Sequence, residues 1–368
     1  MRDFERPLAL GIETSCDDTA CALVDGAGRV LSSVVSSQLA VHQPYGGVVP
    51  EIASREHLAN WSAVSVAAFA AAGVTLAEVD LVAATRGPGL VGSLLVGLAL
   101  GKSVAWALGR PFFAVHHLEG HLYSPFLAPT GEPAAPVPER FVGLVVSGGH
   151  TCLYAVDGGG IATLAETRDD AIGEAFDKVG KRLGLPFPQG PIVDRLAELG
   201  EAARSPLPRV AQPAGELFFS YSGLKTQAAT AAAALAAGGV DLAYRPERDP
   251  PFAPEVLDLL AGFRAAAVGQ LMDRLTRLHR REPFAHLAVS GGVAANRELR
   301  RAVAVWAAER GVALALVPLA FSGDNAAMIA HAALRRAGAG VAGDDPLSVG
   351  AASRAPIGAE APAAGGGG

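Results

Sequence analysis

The sequence predicts an α/β protein built from two related lobes, and three observations support this. Predicted strands alternate with predicted helices along the chain, which is typical of the α/β class. Two segments, Leu8 to Leu31 and Phe141 to Leu164, share one pattern of three apolar runs separated by a small polar turn and a glycine-rich turn. Half of the 368 residues are hydrophobic, which is enough for more than one core.

Each of the two similar segments predicts a three-stranded meander. The first turn reads TSCDD in one copy and SGGH in the other. An internal repeat of this kind indicates two related lobes, with an active site expected in the cleft between them. We expect residues 1–115 to form the N-terminal lobe, completed by a helix at about 325–345, and residues 116–323 to form the C-terminal lobe. The Ala/Pro/Gly tail at 354–368 is expected to be disordered.

Apolar periodicity predicts the other elements in chain order. Helices are expected over Arg55 to Ala72, from about Leu90, from about Asn296 and over SGDNAAMIAHAALRRAG, with Ser322 or Asp324 near the N-terminus of the last. Strands are expected over Asp80 to Thr85, Ala285 to Ser290 and Leu314 to Pro318. The stretch from Leu90 to Leu108 is the most hydrophobic, and a buried helix explains it better than a membrane span. Gly97 and Gly101 leave one face of this helix bare, so another helix can approach closely there.

The charge balance argues mildly against a dedicated nucleic-acid binder. The formal net charge is −6 and charged residues make up 18% of the chain. A local basic patch stays possible at Arg274, Arg277, Arg280 and Arg281, although a solvated helix face is the commoner meaning of such a run. RNA binding, if present, therefore depends on a local patch or on partner proteins.

Cysteine usage and the N-terminus favour a reducing, cytoplasmic setting. The chain has three cysteines, which form no CxxC pair and are too few for a disulfide framework. The segment MRDFERP carries acidic residues and lacks the apolar core of a secretion signal.

The segment HHLEGH at 116–121 carries the most specific chemistry. His117 and His121 are four residues apart, so on a helix they project from one face and can share one metal ion. Glu119 lies two residues from each and points to the opposite side, whereas the zinc-protease motif H-E-x-x-H has its general base directly after the first histidine. The segment therefore predicts a metal site without a protease base. The alternative is a pair of solvated or core histidines near a helix start.

Two glycine turns follow apolar strands, in VVSGGHT (145–151) and SGGVAANR (290–297). Such turns bring backbone N–H groups close to an anion, although each alone is common in α/β proteins. Together with the acidic turn at Asp17 and Asp18, they look like the phosphate-binding hairpins of the actin and sugar-kinase ATPase fold (ASKHA).

Nine motifs make a family resemblance specific. In order from residue 11 to about 332 they read GIETSCDDT, YGGVVPEIASREH, RGPGLVGSLLVG, HHLEGH, VVSGGHT, DDAIGEAFDKVGKRLGL, SYSGLKT, SGGVAANRELR and SGDNAAMIAHA. Together they closely resemble the TsaD family. The resemblance implies an acyltransferase that moves a threonylcarbamoyl group from threonylcarbamoyl-AMP to N6 of adenosine 37 in tRNAs reading codons that begin with A, with release of AMP.

The resemblance also implies the site residues. The metal ligands would be His117, His121 and Asp324, although from the residues alone Asp324 is expected to be a helix N-cap. Two imidazoles and a carboxylate suit iron(II) best, with zinc as the alternative. The substrate contacts would be Val145, Val146, Ser147, Gly148, Gly149, Asp177, Gly190, Asp194 and Asn296. No side chain is assigned as a catalytic general base.

Three positions depart from the family pattern. Gln189 stands where a glycine is common, and Ser322-Gly323 stands where a Cys-Thr pair usually precedes the metal aspartate. Val145 occupies the place where archaeal-type relatives carry a tyrosine near the metal. The first two departures are expected to alter affinity without removing a ligand.

The resemblance implies partner proteins as well as tRNA: a TsaB-like paralogue, a TsaE-like ATPase and a separate enzyme that makes the adenylate. Neither a membrane nor DNA is expected as a partner. The glycine-bearing face of the helix from Leu90 is a candidate docking surface for the paralogue, so that a bulky residue at Gly97 would weaken the complex.

Three other functions remain open on the sequence. A metalloendopeptidase is disfavoured by the position of Glu119. A carbamoyltransferase acting on a small molecule shares the fold and the metal, but such relatives usually carry extra domains. A non-catalytic nucleotide-dependent scaffold has no need for metal ligands.

Overall fold

The computed structural model describes residues 4–129, 131–158, 160–209, 213 and 215–358. Contacts divide the chain into two compact units. The first unit comprises Met1–Glu139, Asp157–Ala162 and Val317–Gly368, and the second comprises Arg140–Val156 and Thr163–Leu316. Residues 359–368 of the predicted tail lie outside the described residues, and the preceding residues 354–358 are described.

The first unit contains a five-stranded sheet that starts with a meander. Its strands are β1 (Ala9–Glu13), β2 (Asp18–Val24), β3 (Val30–Ser37), β4 (Leu81–Gly87) and β5 (Phe112–His116). The order across the sheet is β3-β2-β1-β4-β5. Strand β2 pairs antiparallel with β1 and β3, whereas β4 runs parallel to both β1 and β5.

The second sheet repeats this topology. Its strands are β6 (Phe141–Val146), β7 (Thr151–Asp157), β8 (Gly160–Glu166), β9 (His286–Ser290) and β10 (Ala313–Leu316), in the order β10-β9-β6-β7-β8. Strand β6 pairs antiparallel with β7 and parallel with β9, and β9 runs parallel to β10. The matching orders confirm the predicted internal repeat and the α/β actin-like fold of two related units.

Ten α-helices accompany the two sheets in the described ranges. The first unit contains α1 (Leu39–His42), α2 (Pro50–Ala72), α3 (Val91–Leu108), α4 (His117–Tyr123) and α10 (Ala326–Gly338), and the second contains α5 (Ile172–Arg182), α6 (Gln189–Ala197), α7 (Ser222–Ala237), α8 (Pro254–Arg281) and α9 (Arg297–Arg310). The predicted helices are all present. Helix α2 begins five residues before its predicted start because Pro50 occupies the first turn, where no intrahelical N–H is needed.

The observed division differs from the predicted lobe boundary at residue 115/116. Residues 116–139 and 317–323 belong to the first unit. The reason is the packing of α4 against α10. A Cβ added at Gly120 of α4 would lie 2.9 Å from Ile329 Cδ1 and 3.0 Å from Met328 Cγ, so the two helices meet closely at this glycine.

Helix α3 buries its glycine face, which corrects the predicted docking surface. A Cβ at Gly97 would lie 2.3 Å from Thr14 Oγ1, and one at Gly101 would lie 2.9 Å from the Phe112 ring. Both glycines therefore let α3 approach its own sheet, and a partner cannot reach them. Among the described helices α3 is also the one long and apolar enough to cross a membrane by length and composition, with 33% of that stretch buried.

The arginine run on α8 does not form one basic surface. Arg274 is 2% exposed, and its Nε donates to the Phe218 carbonyl. Arg277 forms an ion pair with Asp273, one turn earlier on the same helix. Both interpretations of the run, a basic patch and the favoured solvated helix face, are therefore wrong at Arg274, because this side chain is buried and holds the segment before α7.

Gly11 is expected to be intolerant of a side chain. A Cβ there would lie 2.1 Å from the carbonyl oxygen of Ala326, so Gly11→Ala must push α10 away from β1. We expect a loss of about 1–3 kcal/mol in the free energy of unfolding. Thermal unfolding would measure it against Gly47→Ala, since a Cβ at Gly47 meets nothing within 4 Å. Equal midpoints for the two variants would contradict the described packing.

Candidate active site

Helix α4 presents two buried imidazoles. His121 is fully buried and His117 is 6% exposed. Their rings are arranged edge to face, with centroids 4.8 Å apart. The four-residue spacing places both rings on one face of the helix, as predicted from the sequence.

Asp324 reaches these histidines because another residue caps α10. The side chain of Asn325 accepts from the Met328 N–H at 3.0 Å, which makes Asn325 the N-cap. Its amide nitrogen donates to the carbonyls of Phe321 and Gly323, which fixes the loop before the helix. The expectation from the residues alone, that Asp324 caps the helix, is wrong.

Asp324, His117 and His121 converge on one point. Asp324 Oδ1 lies 3.2 Å from His121 Nε2 and 3.5 Å from His117 Nε2. The three possible ligand atoms lie within 4.8 Å of one another, and among the described residues they form the one such group of His, Cys, Asp or Glu. All three residues belong to the first unit.

Glu13 holds His117 from the other side of its ring. Glu13 is fully buried, and its Oε2 lies 3.2 Å from His117 Nδ1. The Thr85 hydroxyl donates to Oε2 at 2.6 Å, and the Ser15 N–H donates to Oε1 at 2.5 Å. Burial raises the pKa of Glu13, but the adjacent His117 ring outweighs burial and leaves this pKa below its usual value. An ionised Glu13 accepts a hydrogen bond from the Nδ1–H of His117, so Nε2 is directed at Asp324.

Sequence reasoning did not identify the contact between Glu13 and His117. The available signal was its position as the last residue of β1 in GIETSCDDT, where a strand end delivers a side chain to the edge of the sheet.

The chemistry of the group fits a divalent metal ion. Two imidazole nitrogens and one carboxylate oxygen are a ligand set of transition metals and leave open coordination positions. Burial lowers the pKa of His117, but the carboxylates of Asp324 and Glu13 outweigh burial and raise this pKa to about 9. The site therefore stabilises a positive charge at the position where a cation would bind.

Glu119 has a structural partner instead of a catalytic one. Its two carboxylate oxygens accept from Arg336 Nε at 2.8 Å and Nη2 at 2.5 Å. This bidentate pair joins α4 to α10 on the side away from the histidines. The arrangement agrees with the expectation that the segment lacks a protease base.

The second unit brings together the two predicted glycine turns. Ser147 follows β6, and the side chain of Ser147 accepts from the His150 N–H at 3.1 Å. A Cβ at Gly291, the first residue of the other turn, would lie 2.3 Å from the Val146 carbonyl oxygen. Gly291 has φ of +91°, a conformation that favours glycine, so the two turns touch only because this residue has no side chain.

The hairpin at 145–149 offers its backbone rather than its apolar side chains. Val145 and Val146 are fully buried. Added Cβ atoms at Gly148 and Gly149 meet nothing within 4 Å, so the turn is open on that side. The first turn of α5 is tied to the hairpin, because the Glu174 N–H donates to the Gly148 carbonyl at 3.1 Å.

The four other predicted substrate residues form two hydrogen-bonded pairs along α6. Asp177 of α5 accepts from the Gly190 N–H at 2.7 Å. One turn later, Asp194 accepts from the Asn296 side-chain amide at 2.8 Å. Burial raises the pKa of Asp177, although the N–H donors of Gly190 and Gln189 oppose this.

Arg264 supports the second of these pairs, and sequence reasoning missed it. The Arg264 side chain is 7% exposed, and its Nη1 lies 3.1 Å from Asp194 Oδ1 and 2.5 Å from Glu198 Oε1. Its position inside the long helix α8 gives no sequence signal of this role. Asn296 in turn accepts from the Leu299 N–H at 2.9 Å and so caps α9.

Two sequence features acquire structural roles. Lys225, in the motif SYSGLKT, forms an ion pair with Asp170 at 2.6 Å. Gln189, at the position that departs from the family pattern, is 5% exposed. A Cβ added at Gly180 would lie 2.5 Å from Gln189 Cβ, so the departure is accommodated by close packing between α5 and α6.

Comparison with known proteins assigns the family. A family model described as tRNA N6-adenosine threonylcarbamoyltransferase, TsaD, matches residues 29–331. The chain belongs to the TsaD family. A family member from Sorangium cellulosum is 46% identical over 340 residues, which cover 90% of this chain and 92% of the relative. One from Pelobacter propionicus is 48% identical over 326 residues, which cover 88% and 90%.

Solved structures agree on the fold. HypF from T. kodakarensis is similar with a TM-score of 0.58 and 14% identity, over 91% of this chain and 48% of that chain. A full-length HypF in the phosphate- and nucleotide-bound form gives a TM-score of 0.56 and 12% identity, over 92% and 47%. At these identities the similarity concerns the fold alone.

Replacing Glu13 is expected to weaken metal binding. Glu13→Gln keeps the size of the side chain but removes the charge that orients His117. We expect the affinity for cobalt(II) or zinc to fall by about 10–100-fold, as is typical of lost partners behind a metal ligand. Competition titration with a chromophoric chelator would measure this affinity. Glu132→Gln is the control because Glu132 is exposed. An unchanged affinity in Glu13→Gln would contradict the orienting role.

Proposed function

We propose that this protein transfers a threonylcarbamoyl group from threonylcarbamoyl-AMP to N6 of adenosine 37 in tRNAs reading codons that begin with A. The observation that carries the proposal is the family match over residues 29–331, combined with a converging His117, His121 and Asp324. The protein is then an acyltransferase of tRNA modification that releases AMP.

His117, His121 and Asp324 hold one divalent metal ion in this proposal. Iron(II) and zinc both accept two imidazoles and a carboxylate. Iron(II) is the first candidate, because two histidines and one carboxylate with open positions are typical of non-haem iron(II) sites. When bound, the ion supplies Lewis-acid polarisation of a substrate oxygen. Glu13 keeps the ring of His117 in the orientation that this binding needs, since its carboxylate contacts Nδ1 and leaves Nε2 for the ion.

The second unit binds the adenylate. Backbone N–H groups of the turn at Ser147, Gly148 and Gly149 donate to phosphate or carbamoyl oxygens. The openness of the two glycines supports this, because an anion can approach the backbone there without meeting a side chain. Val145 and Val146 place the turn at the end of β6, while their own side chains stay in the core.

The ribose and purine are held by the pairs along α6. Asp177 and Asp194 accept hydrogen bonds from hydroxyl groups, Gly190 allows close approach of the nucleoside, and Asn296 contacts the base or its ribose. Arg264 supports this arrangement because its buried charge lies beside Asp194. In the free protein each carboxylate already accepts from a backbone or amide N–H, so both are fixed before substrate arrives.

The reaction needs positioning more than a strong nucleophile. The donor is a mixed anhydride whose carbonyl is already activated. The N6 amine of adenosine 37 attacks this carbonyl and a C–N bond forms. The bond between the carbonyl carbon and the phosphate oxygen breaks, AMP leaves, and the proton of the amine passes to solvent. The hairpin N–H groups stabilise the charge on the departing phosphate.

We also propose the partners and the cellular location. The protein acts in the cytoplasm with a TsaB-like paralogue, a TsaE-like ATPase and a separate adenylate-making enzyme, without a membrane or DNA. The paralogue docks on the outer face of α2 and α3, which replaces the buried Gly97 face as the candidate surface. Apolar side chains are exposed there, including Leu58 (63%), Leu95 (53%) and Trp106 (72%).

Transfer of labelled threonine to tRNA tests the proposed activity. The purified chain is mixed with radiolabelled threonylcarbamoyl-AMP, an ANN-decoding tRNA, iron(II) and the partner proteins. We expect label at adenosine 37 with the native chain. His121→Ala should reduce it at least about 100-fold, because the site loses one of three ligands. His286→Ala is the matched control, since His286 begins β9 in the second unit and lies outside the proposed site.

Three results would contradict the proposed activity or the proposed metal site. No label on tRNA with all partners present would remove tRNA as the acceptor and favour carbamoyl transfer to a small molecule. Full transfer by His121→Ala in metal-stripped buffer would remove the metal role. Digestion of a glycoprotein by the native chain but not by His121→Ala would favour an endopeptidase.

The docking surface gives a separate prediction. Leu95→Asp places a charge on the exposed face of α3 without touching the Gly97 and Gly101 contacts. We expect binding of the TsaB-like paralogue to weaken by at least about tenfold, as for a central apolar contact in an interface. Co-elution and calorimetry would measure this, with Leu199→Asp as the control at an exposed leucine of the second unit. Equal affinities for the two variants would place the paralogue elsewhere.

A further inference from the structure

After α10 the chain runs back to α4, the helix that carries His117 and His121. We call residues 343–358 the C-terminal strap. It begins at strand β5. The Asp344 N–H donates to the Phe112 carbonyl at 2.7 Å, and the Asp344 carboxylate accepts from the Ala114 N–H at 2.8 Å. Strand β5 is at the edge of its sheet, so the strap pairs backbone groups that would otherwise lack a neighbouring strand.

The middle of the strap is part of the first unit rather than an appendage. The Lys102 ammonium of α3 donates to the Val349 carbonyl. The Ala352 N–H donates to the Arg86 carbonyl at 2.9 Å. A Cβ at Gly87 would lie 2.0 Å from the Ala352 carbonyl oxygen, so the strap and β4 meet only because residue 87 is glycine. Val349 and Ala351 pack against the hydrophobic core of this unit.

The last strap contact is with His116, directly before the first metal ligand. His116 is 5% exposed and is the N-cap of α4. Its Nδ1 accepts from the Leu118 N–H at 3.2 Å. Since a backbone N–H can only donate, Nδ1 carries the lone pair and the ring proton is on Nε2. That proton is donated to the Ala355 carbonyl, whose oxygen lies 2.9 Å from Nε2.

Helix α4 depends on such external support. It has seven residues, which is too short for a helix to be stable by itself. Its middle is held by the Glu119–Arg336 pair and by Gly120 against α10. Its first turn, which carries His117, is capped by His116, and the strap fixes the ring of His116 in one tautomer and one orientation.

We propose that the C-terminal strap is a positioning element of the metal centre: through Ala355 and His116 it fixes the first turn of α4 and thereby directs His117 and His121 at Asp324. This inference rests on the metal role in the proposed function. His116 is a positioning residue, because its ring contacts the Leu118 N–H of α4 and the Ala355 carbonyl of the strap and does not itself bind the metal ion.

Metal affinity is the direct test. A chain ending at Ala351 removes Ala355 but keeps Asp344 and Val349. A chain ending at Gly358 is the matched control, because it keeps every strap contact described above. His116→Asn retains an oxygen that can accept from the Leu118 N–H but lacks an atom at the position of Nε2, so it breaks only the strap bond. Cobalt(II) affinity and the cobalt(II) absorption spectrum are measured for each full-length or shortened protein.

We expect the shortened chain and His116→Asn to lose similar amounts of cobalt(II) affinity. The chain ending at Ala351 and His116→Asn should each bind cobalt(II) about 10-fold more weakly, with a changed ligand-field spectrum. The two changes combined should lose no more than the chain ending at Ala351 loses alone, because that chain has already lost the Ala355 carbonyl that His116 contacts. The chain ending at Gly358 should bind like the native protein. The point variant keeps the test decisive if the chain ending at Ala351 does not fold.

The outcomes separate this inference from the proposed function. Native cobalt(II) affinity and spectrum in His116→Asn would overturn the positioning role while the metal role stands. If His116→Asn and the chain ending at Ala351 lower the cobalt(II) affinity additively when combined, the strap does not act on α4 through His116. A native chain that binds no cobalt(II), with or without the strap, would overturn both.

Discussion

The close packing of α4 against α10 is the constraint on which the candidate metal centre depends. Gly120 brings the two helices together, and the Glu119–Arg336 pair holds them at that distance. Because α10 begins directly after Asp324, this packing carries the carboxylate to two histidines some two hundred positions earlier in the chain. Gly11 extends the constraint, since β1 approaches the first carbonyl of α10 only without a side chain.

In the second unit, contacts around α6 hold two carboxylates in place, as the packing of α4 against α10 does for Asp324 in the first unit. One helix receives Asp177 from α5 at its first turn and offers its own Asp194 to Asn296 one turn later. Each acidic side chain is thus oriented by a donor before any ligand binds. Arg264 places a buried positive charge beside Asp194, whereas the Asp177 carboxylate accepts from the N–H groups of Gly190 and Gln189. The Asp177 and Asp194 carboxylates therefore differ in electrostatic environment, although the first contacts α6 and the second lies on it.

Much of the fold follows from the sequence because it is expressed in local patterns. The repeated meander at Leu8 and Phe141, the glycine turns and the helical periodicities specify both sheets and most helices. The pair His117 and His121 follows from its spacing, and Asp324 as the third ligand follows from the resemblance, whereas local chemistry alone assigned the cap of α10 to Asp324 or Ser322. Asn325 takes that role because its oxygen, not that of Asp324, accepts from Met328.

Other features depend on contacts between distant segments, which no local pattern records. Gly97 was expected on a docking face, yet it lies against Thr14 because α3 packs its small residues on its own sheet. Arg274 was expected on a solvated helix face, with a basic patch as the alternative, yet it is buried beside Phe218. The tail was expected to be disordered from residue 354, whereas the Ala355 carbonyl accepts from His116. Each departure arises where tertiary packing overrides composition.

The most direct measurement of the central claim is anomalous X-ray diffraction from crystals grown with iron(II), recorded on both sides of the iron absorption edge. The account predicts one anomalous peak in the first unit, within bonding distance of Nε2 of His117, Nε2 of His121 and a carboxylate oxygen of Asp324, and its disappearance in crystals of His121→Ala. A peak at other residues, or none in protein that still transfers threonylcarbamoyl to tRNA, would contradict it.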